Sequence, residues 1–293
     1  MISQHTGVAR QTVVQAYKHL KLHGLIESSK TRGFFVQTNN TSQRLRVLVL
    51  FNIMSASKEL IYQSIEKELK DRAHIELFFH NYNFEVFETI IRTRADMFHY
   101  FIVMPHHDPA AIPVLQFIPP EKLILIDRPL QEPIEGVSSI HQDFKMDVFE
   151  ALLREKKRIM KYKRIVLLFP DEKNLPAGIK DGVKKFGTGQ KMPVVLATTA
   201  DKKLLKTGTL FITSTDEQLI SLIELQQQTK LKPGKDIGII SYNESPLKRI
   251  LSGGIATLSS DFEQMGRMAA QCILQKTTLV KRNPFKLTVR HSL

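Results

Sequence analysis

Leu210-Phe211-Ile212-Thr213, running on into Ser214-Thr215-Asp216, is the stretch whose reading decides the fold. A short, nearly continuous run of apolar and β-branched residues suits a strand covered on both faces. It leads directly into an amphipathic stretch, Asp216–Gln228, so the segment reads as one strand-to-helix unit. The rhythm extends in both directions. Similar runs occur at Val47–Phe51, Ile75–Phe79, Tyr100–Met104, Leu123–Ile126, Ile165–Phe169, Val194–Ala197 and Ile237–Ser241, with amphipathic stretches such as Glu59–Arg72 and Asp147–Met160 between them. Repeated units of this kind predict an α/β fold of doubly wound parallel sheet. Periodicity leaves open whether there is one large sheet or two smaller ones.

The rhythm begins after Thr38-Asn39-Asn40-Thr41-Ser42-Gln43, small polar residues without periodicity, as expected of a linker. The chain therefore divides into a head at 1–37, a joint at 38–45 and a body at 46–293. The head is too short to bury a large core alone. With 42% hydrophobic and 24% charged residues the 293-residue chain is globular. It has no apolar run of the ~18 residues a membrane helix needs, and Met1-Ile2-Ser3-Gln4-His5 lacks the apolar core of a signal peptide. Cys272 is the single cysteine, which excludes an internal disulfide and a multi-cysteine metal site. A cytoplasmic protein without a membrane partner is expected.

Net charge is +13, and its distribution points to a polyanion. Residues 1–46 carry seven basic side chains (Arg10, Lys18, Lys21, Lys30, Arg32, Arg44 and Arg46) against Glu27 alone. A second cluster, Arg154 to Arg164, reads as a solvated helix face. In the head, Gly7-Val8-Ala9 reads as a tight turn, followed by a helix from about Arg10 to His23 that stops at Gly24. Val13, Tyr17 and Leu20 form its apolar stripe, leaving Arg10, Gln11, Gln15 and Lys18 outward, where they suit base edges and phosphates. Leu25–Ser28, a turn at Lys30–Gly33 and Phe34–Val36 form a hairpin whose tip, Lys30 and Arg32, suits backbone or minor groove. A helix-hairpin unit that merely packs on the body is the alternative.

Gly7-Val8-Ala9-Arg10-Gln11-Thr12-Val13, Leu20, Gly24-Leu25-Ile26 and Arg32-Gly33-Phe34-Phe35-Val36 follow one order and spacing. In these the head resembles the winged helix-turn-helix of GntR-family regulators. The resemblance implies that Arg10, Gln11 and Thr12 open the recognition helix and that Arg32-Gly33 form the wing tip. Ala9 departs from the family's N-cap Ser, and Thr31 from a wing glycine. The family's first helix would precede residue 1, so the head is expected to be partial and its apolar stripe partly uncovered.

Ile126-Asp127-Arg128-Pro129, the 210–216 stretch, Ile237 to Glu244, Ala256 to Phe262 with Met265-Gly266, and Val289-Arg290-His291-Ser292 together resemble the LacI-type effector domain. That family shares its fold with periplasmic sugar-binding proteins. The resemblance implies two Rossmann-like lobes, the first at about 46–141 and 262–276, the second at about 142–261 and 277–293. Three crossings would lie near Gln142-Asp143, Asn243 and Asp261. It further implies a homodimer, a sugar or sugar phosphate between the lobes, and operator DNA as partner, in a regulator of carbohydrate use.

Ligands of such folds sit outside the carboxyl ends of the strands. The candidates there are Asn52, Ser55, His106, Asp127, Arg128, Thr215, Asp216, Asn243, Ser260 and Asp261. Their side chains can pair with several hydroxyls. Asp216 could instead cap the following helix, and Asp127 and Arg128 could pair between lobes. The family's ligand-binding Arg after Phe169 has no counterpart, the nearest positions being Leu175 and Ile179. With no Trp, stacking on a sugar falls to Tyr62, Tyr242 or Phe262. Pro105-His106-His107-Asp108 lacks the supporting Cys or Glu-x-x-His of a metal site. No nucleophile elbow or phosphate loop occurs, so no catalytic residue, metal or cofactor is expected. A transport-type sugar-binding protein without DNA function is the rival reading.

Overall fold

In the computed structural model, residues 7–22, 26–29, 33–36, 44–171 and 175–293 are described. The head contributes α1 (Arg10–Leu22) and an antiparallel pair, β1 (Ile26–Ser29) and β2 (Gly33–Val36). Gly7 supplies the positive φ of the turn, and the Ala9 carbonyl accepts the first helical amides, Thr12 and Val13. Tyr17 packs its ring 4.4 Å from Phe34. Val13 and Tyr17 stay half-buried, while Leu20, Phe34 and Val36 are exposed. Lys30, Arg32 and most of the expected linker lie outside the described residues.

The body holds two six-stranded sheets rather than one. The first contains β3 (Leu45–Phe51), β4 (Ala73–Phe79), β5 (Tyr100–Val103), β6 (Leu123–Asp127) and β7 (Ser138–His141). Around these lie α2 (Ala56–Leu69), α3 (Phe84–Arg94) and α4 (Ala111–Leu115). The second contains β8 (Arg164–Leu168), β9 (Val194–Ala197), β10 (Thr209–Thr213), β11 (Ile237–Tyr242) and β12 (Ala256–Ser260). Its helices are α5 (Phe144–Arg154), α6 (Lys156–Ile159), α7 (Ala177–Gly189), α8 (Asp216–Gln227) and α9 (Pro246–Ile250). The chain closes with α10 (Phe262–Gln275), β13 (Val280–Arg282) and β14 (Phe285–Thr288).

The strand orders are β13-β7-β6-β5-β3-β4 and β14-β12-β11-β10-β8-β9. All pairings in these sheets are parallel except β12 with β14. Both sheets reverse their order beside their first strand, between β3 and β5 and between β8 and β10, which is where such folds bind ligands. Each is covered on both faces. Val47, Val49 and Phe51 enter one core and Leu48 and Leu50 another; Ile165 and Leu167 enter a third, Val166 and Leu168 a fourth. This accounts for the unbroken apolar runs: a strand sandwiched between helices has no solvent face.

The chain passes between lobes at Gln142-Asp143, at Asp261 and at Asn283-Pro284. Asn243 is no crossing, since β11 and β12 on either side of it share one sheet. The expected boundary at 277 also moves: β13 pairs with β7 in the first sheet, and only β14 joins the second. The helix expected at Asp147–Met160 starts one turn earlier, capped by Asp143, and breaks at Glu155.

Late in the chain, α10 returns to the first lobe and packs on α2. A Cβ at Gly266 would lie 2.4 Å from the Ile61 carbonyl oxygen and 2.9 Å from the Ser64 Cβ. Gly266→Val is therefore expected to lower stability by about 1–3 kcal/mol through overpacking, although valine is the better helix former. A fall in the urea midpoint checks this; an unchanged midpoint would contradict the close approach.

Candidate functional site

The carboxyl edges of the two sheets carry all the predicted effector residues, but several are already employed by the fold. Asn52, after β3, accepts from the Ile53 amide at 2.8 Å and donates to the Tyr82 hydroxyl at 3.1 Å. His106, after β5, accepts from the Asp108 amide at 3.1 Å through Nδ1, which leaves the proton on Nε2 to donate to the Tyr82 carbonyl at 3.0 Å. These two residues tie loops together. Ser55 precedes α2 and hydrogen-bonds Ser57, 3.0 Å away. Thr215 caps α8 in a reciprocal box with Gln218, and Asp261 caps α10 by accepting from the Gln264 amide at 2.9 Å. Ser260 accepts from Asn283 at 2.7 Å.

Asp216 lies at the start of α8 and reaches Lys248 of α9 at 2.7 Å. That lysine is buried, and its ammonium also donates to the Tyr242 and Asn243 carbonyls, both at 2.8 Å. Three acceptors match its three N–H bonds, which explains how a buried lysine is tolerated. Held this way, Asn243 adopts a left-handed conformation, φ 61°. Its side chain, half-buried, makes no hydrogen bond among the described residues. Asp127 is also left-handed, φ 74°, and buried, accepting from Gln142. Arg128 lines a hollow of about 170 Å³ with His106 and His107.

The edges meet at the crossings. Arg282 of β13, in the first lobe, donates through Nε to Asp147 of α5, in the second, at 2.6 Å. Its two terminal nitrogens reach Glu150 at 3.3 and 3.2 Å. Asp147 and Glu150 stand three residues apart on one helix face, so a single guanidinium grips both. Burial raises the Asp147 carboxyl to about 6, although Arg282 pulls the other way. Burial, then the charges of Asp127 and Asp147, push Tyr242 of the second sheet well above the ordinary phenol value. Four buried atoms here lack any partner: Gln142 Oε1, Asp147 Oδ2, Asn283 Oδ1 and the Tyr242 hydroxyl. A buried polar atom left unmatched costs about 1–3 kcal/mol, so the contacts at this hinge are held at a cost in stability.

A larger cavity, about 640 Å³, opens at the ends of β8 and β9. Phe169, Asp171, Lys180 and Thr198 line it, with the Lys180 ammonium 5.6 Å from the Phe169 ring centroid. Lys180 thus supplies a cation one residue beyond Ile179, where the sequence offered no arginine, and Phe169 offers a ring face. Among the described residues, no group of three or more His, Cys, Asp or Glu side chains is placed to hold a metal, and no helix is long and apolar enough to cross a membrane.

No protein-family model matches the chain, and no curated protein does. Solved structures do. The LacI family transcriptional regulator from Lactobacillus casei with bound glucose is 15% identical, over 85% of this chain and 99% of that one, with TM-score 0.66. The transcriptional regulator CelR in its cellobiose complex is 16% identical, over 98% and 92%, also at 0.66. A periplasmic binding protein/LacI transcriptional regulator from Alkaliphilus metalliredigens QYMF complexed with D-xylulofuranose is 11% identical, over 84% and 98%, at 0.65. The fold is two-lobed and periplasmic-binding-protein-like.

In this fold, sequence reasoning placed a crossing at Gln142 but missed Asp147, Arg282 and Asn283 of the hinge. One signal was available: Asp147 lies four residues before Ala151 and one before Val148, on the apolar face of its helix. Because its folded pKa is raised, Asp147 binds its proton more tightly folded than unfolded, and stability falls as pH rises from about 4 to about 6. His80, lowered to about 4 chiefly by burial, works oppositely over a similar window. Asp147→Asn keeps an acceptor for Arg282 and removes the titration. The stability difference between variant and parent should therefore shift towards the variant between pH 4 and pH 7, by on the order of 2 kcal/mol. Urea unfolding at both pH values reads this; a pH-independent difference would show that Asp147 is not desolvated.

Proposed function

We propose that the chain is a cytoplasmic, sugar-responsive transcription regulator, acting by binding rather than catalysis. The observation that carries the effector reading is the carboxyl edge of the second sheet, where the half-buried Asn243 side chain makes no hydrogen bond among the described residues, with a polar hinge of Gln142, Asp147 and Asn283 joining the lobes. A polyhydroxyl ligand can both donate to and accept from an amide side chain such as that of Asn243. Sugars bound by structural neighbours (glucose, cellobiose, D-xylulofuranose) support the same class. Of the predicted contacts, Asn243, Asp127 and Arg128 remain the strongest, joined by Phe169 and Lys180. Ser55, Thr215 and Asp261 serve first at the starts of helices.

The head reading is a GntR-like winged helix on operator DNA, carried by two subunits of a homodimer. Arg10, Gln11, Thr12, Gln15 and Lys18 are all exposed on α1, as a groove-facing surface requires. The match to the regulator CelR, over 98% of this chain, supports a regulator reading for the chain as a whole. Sugar would bias the lobe angle, and through it the spacing of two heads.

A thermal-shift panel of glucose, cellobiose, sucrose and xylulose tests the effector. At 100 times its dissociation constant a bound sugar adds ~2.7 kcal/mol to the native state. Asn243→Gly, which keeps the left-handed turn, is expected to abolish that shift while leaving the sugar-free melting point unchanged. Asp261→Ala should instead lower the melting point, by about 1 kcal/mol of stability, through loss of its cap. Full stabilisation of Asn243→Gly by the same sugar would move the site elsewhere.

A further inference from the structure

The loops that lead into β8, β9, β10 and β11 reach the edge opposite the carboxyl ends of the strands, and each carries lysine. Lys161 and Lys163 precede β8, Lys191 precedes β9, Lys206 precedes β10, and Lys230, Lys232 and Lys235 precede β11. Backbone bonds knit these loops into one surface. The Lys163 amide donates to the Gly208 carbonyl at 2.7 Å, and the Gly208 amide to the Asp236 carbonyl at 2.7 Å. The Ile165 amide donates to the Pro193 carbonyl at 2.9 Å, and the Lys161 ammonium to the Gly234 carbonyl at 3.0 Å. All seven lysines are exposed, and among the described residues none makes an ion pair.

The opposing carboxylates are few and committed. Asp236 accepts from the Lys232 amide at 2.8 Å, Asp201 from the Lys203 amide at 2.7 Å, and Glu155 pairs with Arg158 at 3.1 Å. The C-termini of α7 and α8 end on this edge and bring about half a negative charge each. Seven ammonium groups outweigh them.

We propose that this lysine edge is a second nucleic-acid contact, taking the phosphate backbone of duplex DNA without reading sequence. Four neighbouring strands set about 5 Å apart spread the loops over roughly 14 Å, a length along which a duplex presents about eight charges. Lysines act as point charges for phosphate. Tyr162, the only aromatic residue in these loops, is buried, so there is no ring on which an unpaired base could stack, which favours duplex over single strand. With the exposed basic face of α1, one molecule carries two basic surfaces for a duplex.

The test is anisotropy titration of the full chain with a short labelled duplex of mixed sequence, at several salt concentrations. Lys206→Glu, Lys232→Glu and Lys235→Glu combined should lower the slope of log affinity against log salt by about three, with about a tenfold or greater loss of affinity. The neutral set Lys161→Gln, Lys163→Gln and Lys191→Gln should act in the same direction, with circular dichroism melting as the check on folding. Arg10→Ala with Lys18→Ala separates the head: in that background the edge variants must still lower the slope. Unchanged slope and affinity in both edge sets would overturn the proposal. So would a loss confined to anionic phosphatidylserine vesicles or to polyglutamate, with duplex binding intact.

Discussion

A parallel strand can be followed by another only if the chain crosses back over the sheet. That constraint sorts every loop of this molecule by its position relative to a strand. Loops after strands collect at the carboxyl edge, loops before strands at the opposite edge. Two sheets of identical order then face each other through their carboxyl edges, and residues from sequence-distant loops become neighbours. Tyr242 feels the charge of Asp127, more than a hundred residues away, only because both end strands.

The cost of that meeting is polar burial at the hinge. Arg282 spans the lobes to Asp147 and Glu150, a charged arrangement that gains little net stability once desolvation is counted but fixes relative orientation. On the second lobe, Glu244 is held below the usual carboxylate range: burial pulls it up, but Thr257 and Arg290 outweigh that. Lys248 fixes the strand-end turn in the same region. The second lobe therefore presents a rim held by charged contacts, although unmatched buried atoms occur both there, at Thr213, Ser241 and Glu244, and where the lobes join. A ligand-biased two-state element requires contacts that differ between its states, and a polar hinge between two separately packed lobes allows them.

Much of this was legible in the sequence, and the failures have physical causes. Buried parallel strands announce themselves through unbroken apolar runs, so β3, β5, β8, β10 and β11 were readable. Whether they formed one sheet or two was not, because periodicity is local and the division depends on where α10 packs. The crossing expected at Asn243 fails because a left-handed strand-end turn and an interlobe passage look alike as polar residues after a strand. The short β13 carries Lys281 and Arg282, and its single partner strand left no apolar signature. Ser55, Thr215 and Asp261 sit where a ligand residue would, but the same place is where a helix begins, and the residue types that cap helices also bind hydroxyls. Asp147 hid in an amphipathic pattern.

The central claim is that the two lobes change their angle when a sugar enters between them. Spin labels at Glu121→Cys and Lys184→Cys, both exposed and one in each lobe, report that angle by electron–electron resonance, with the buried Cys272 out of reach of the label. The account predicts that the sugar which raises the melting point also narrows and shifts the distance distribution, and that Asn243→Gly abolishes the shift. A distribution unchanged at saturating sugar would contradict it.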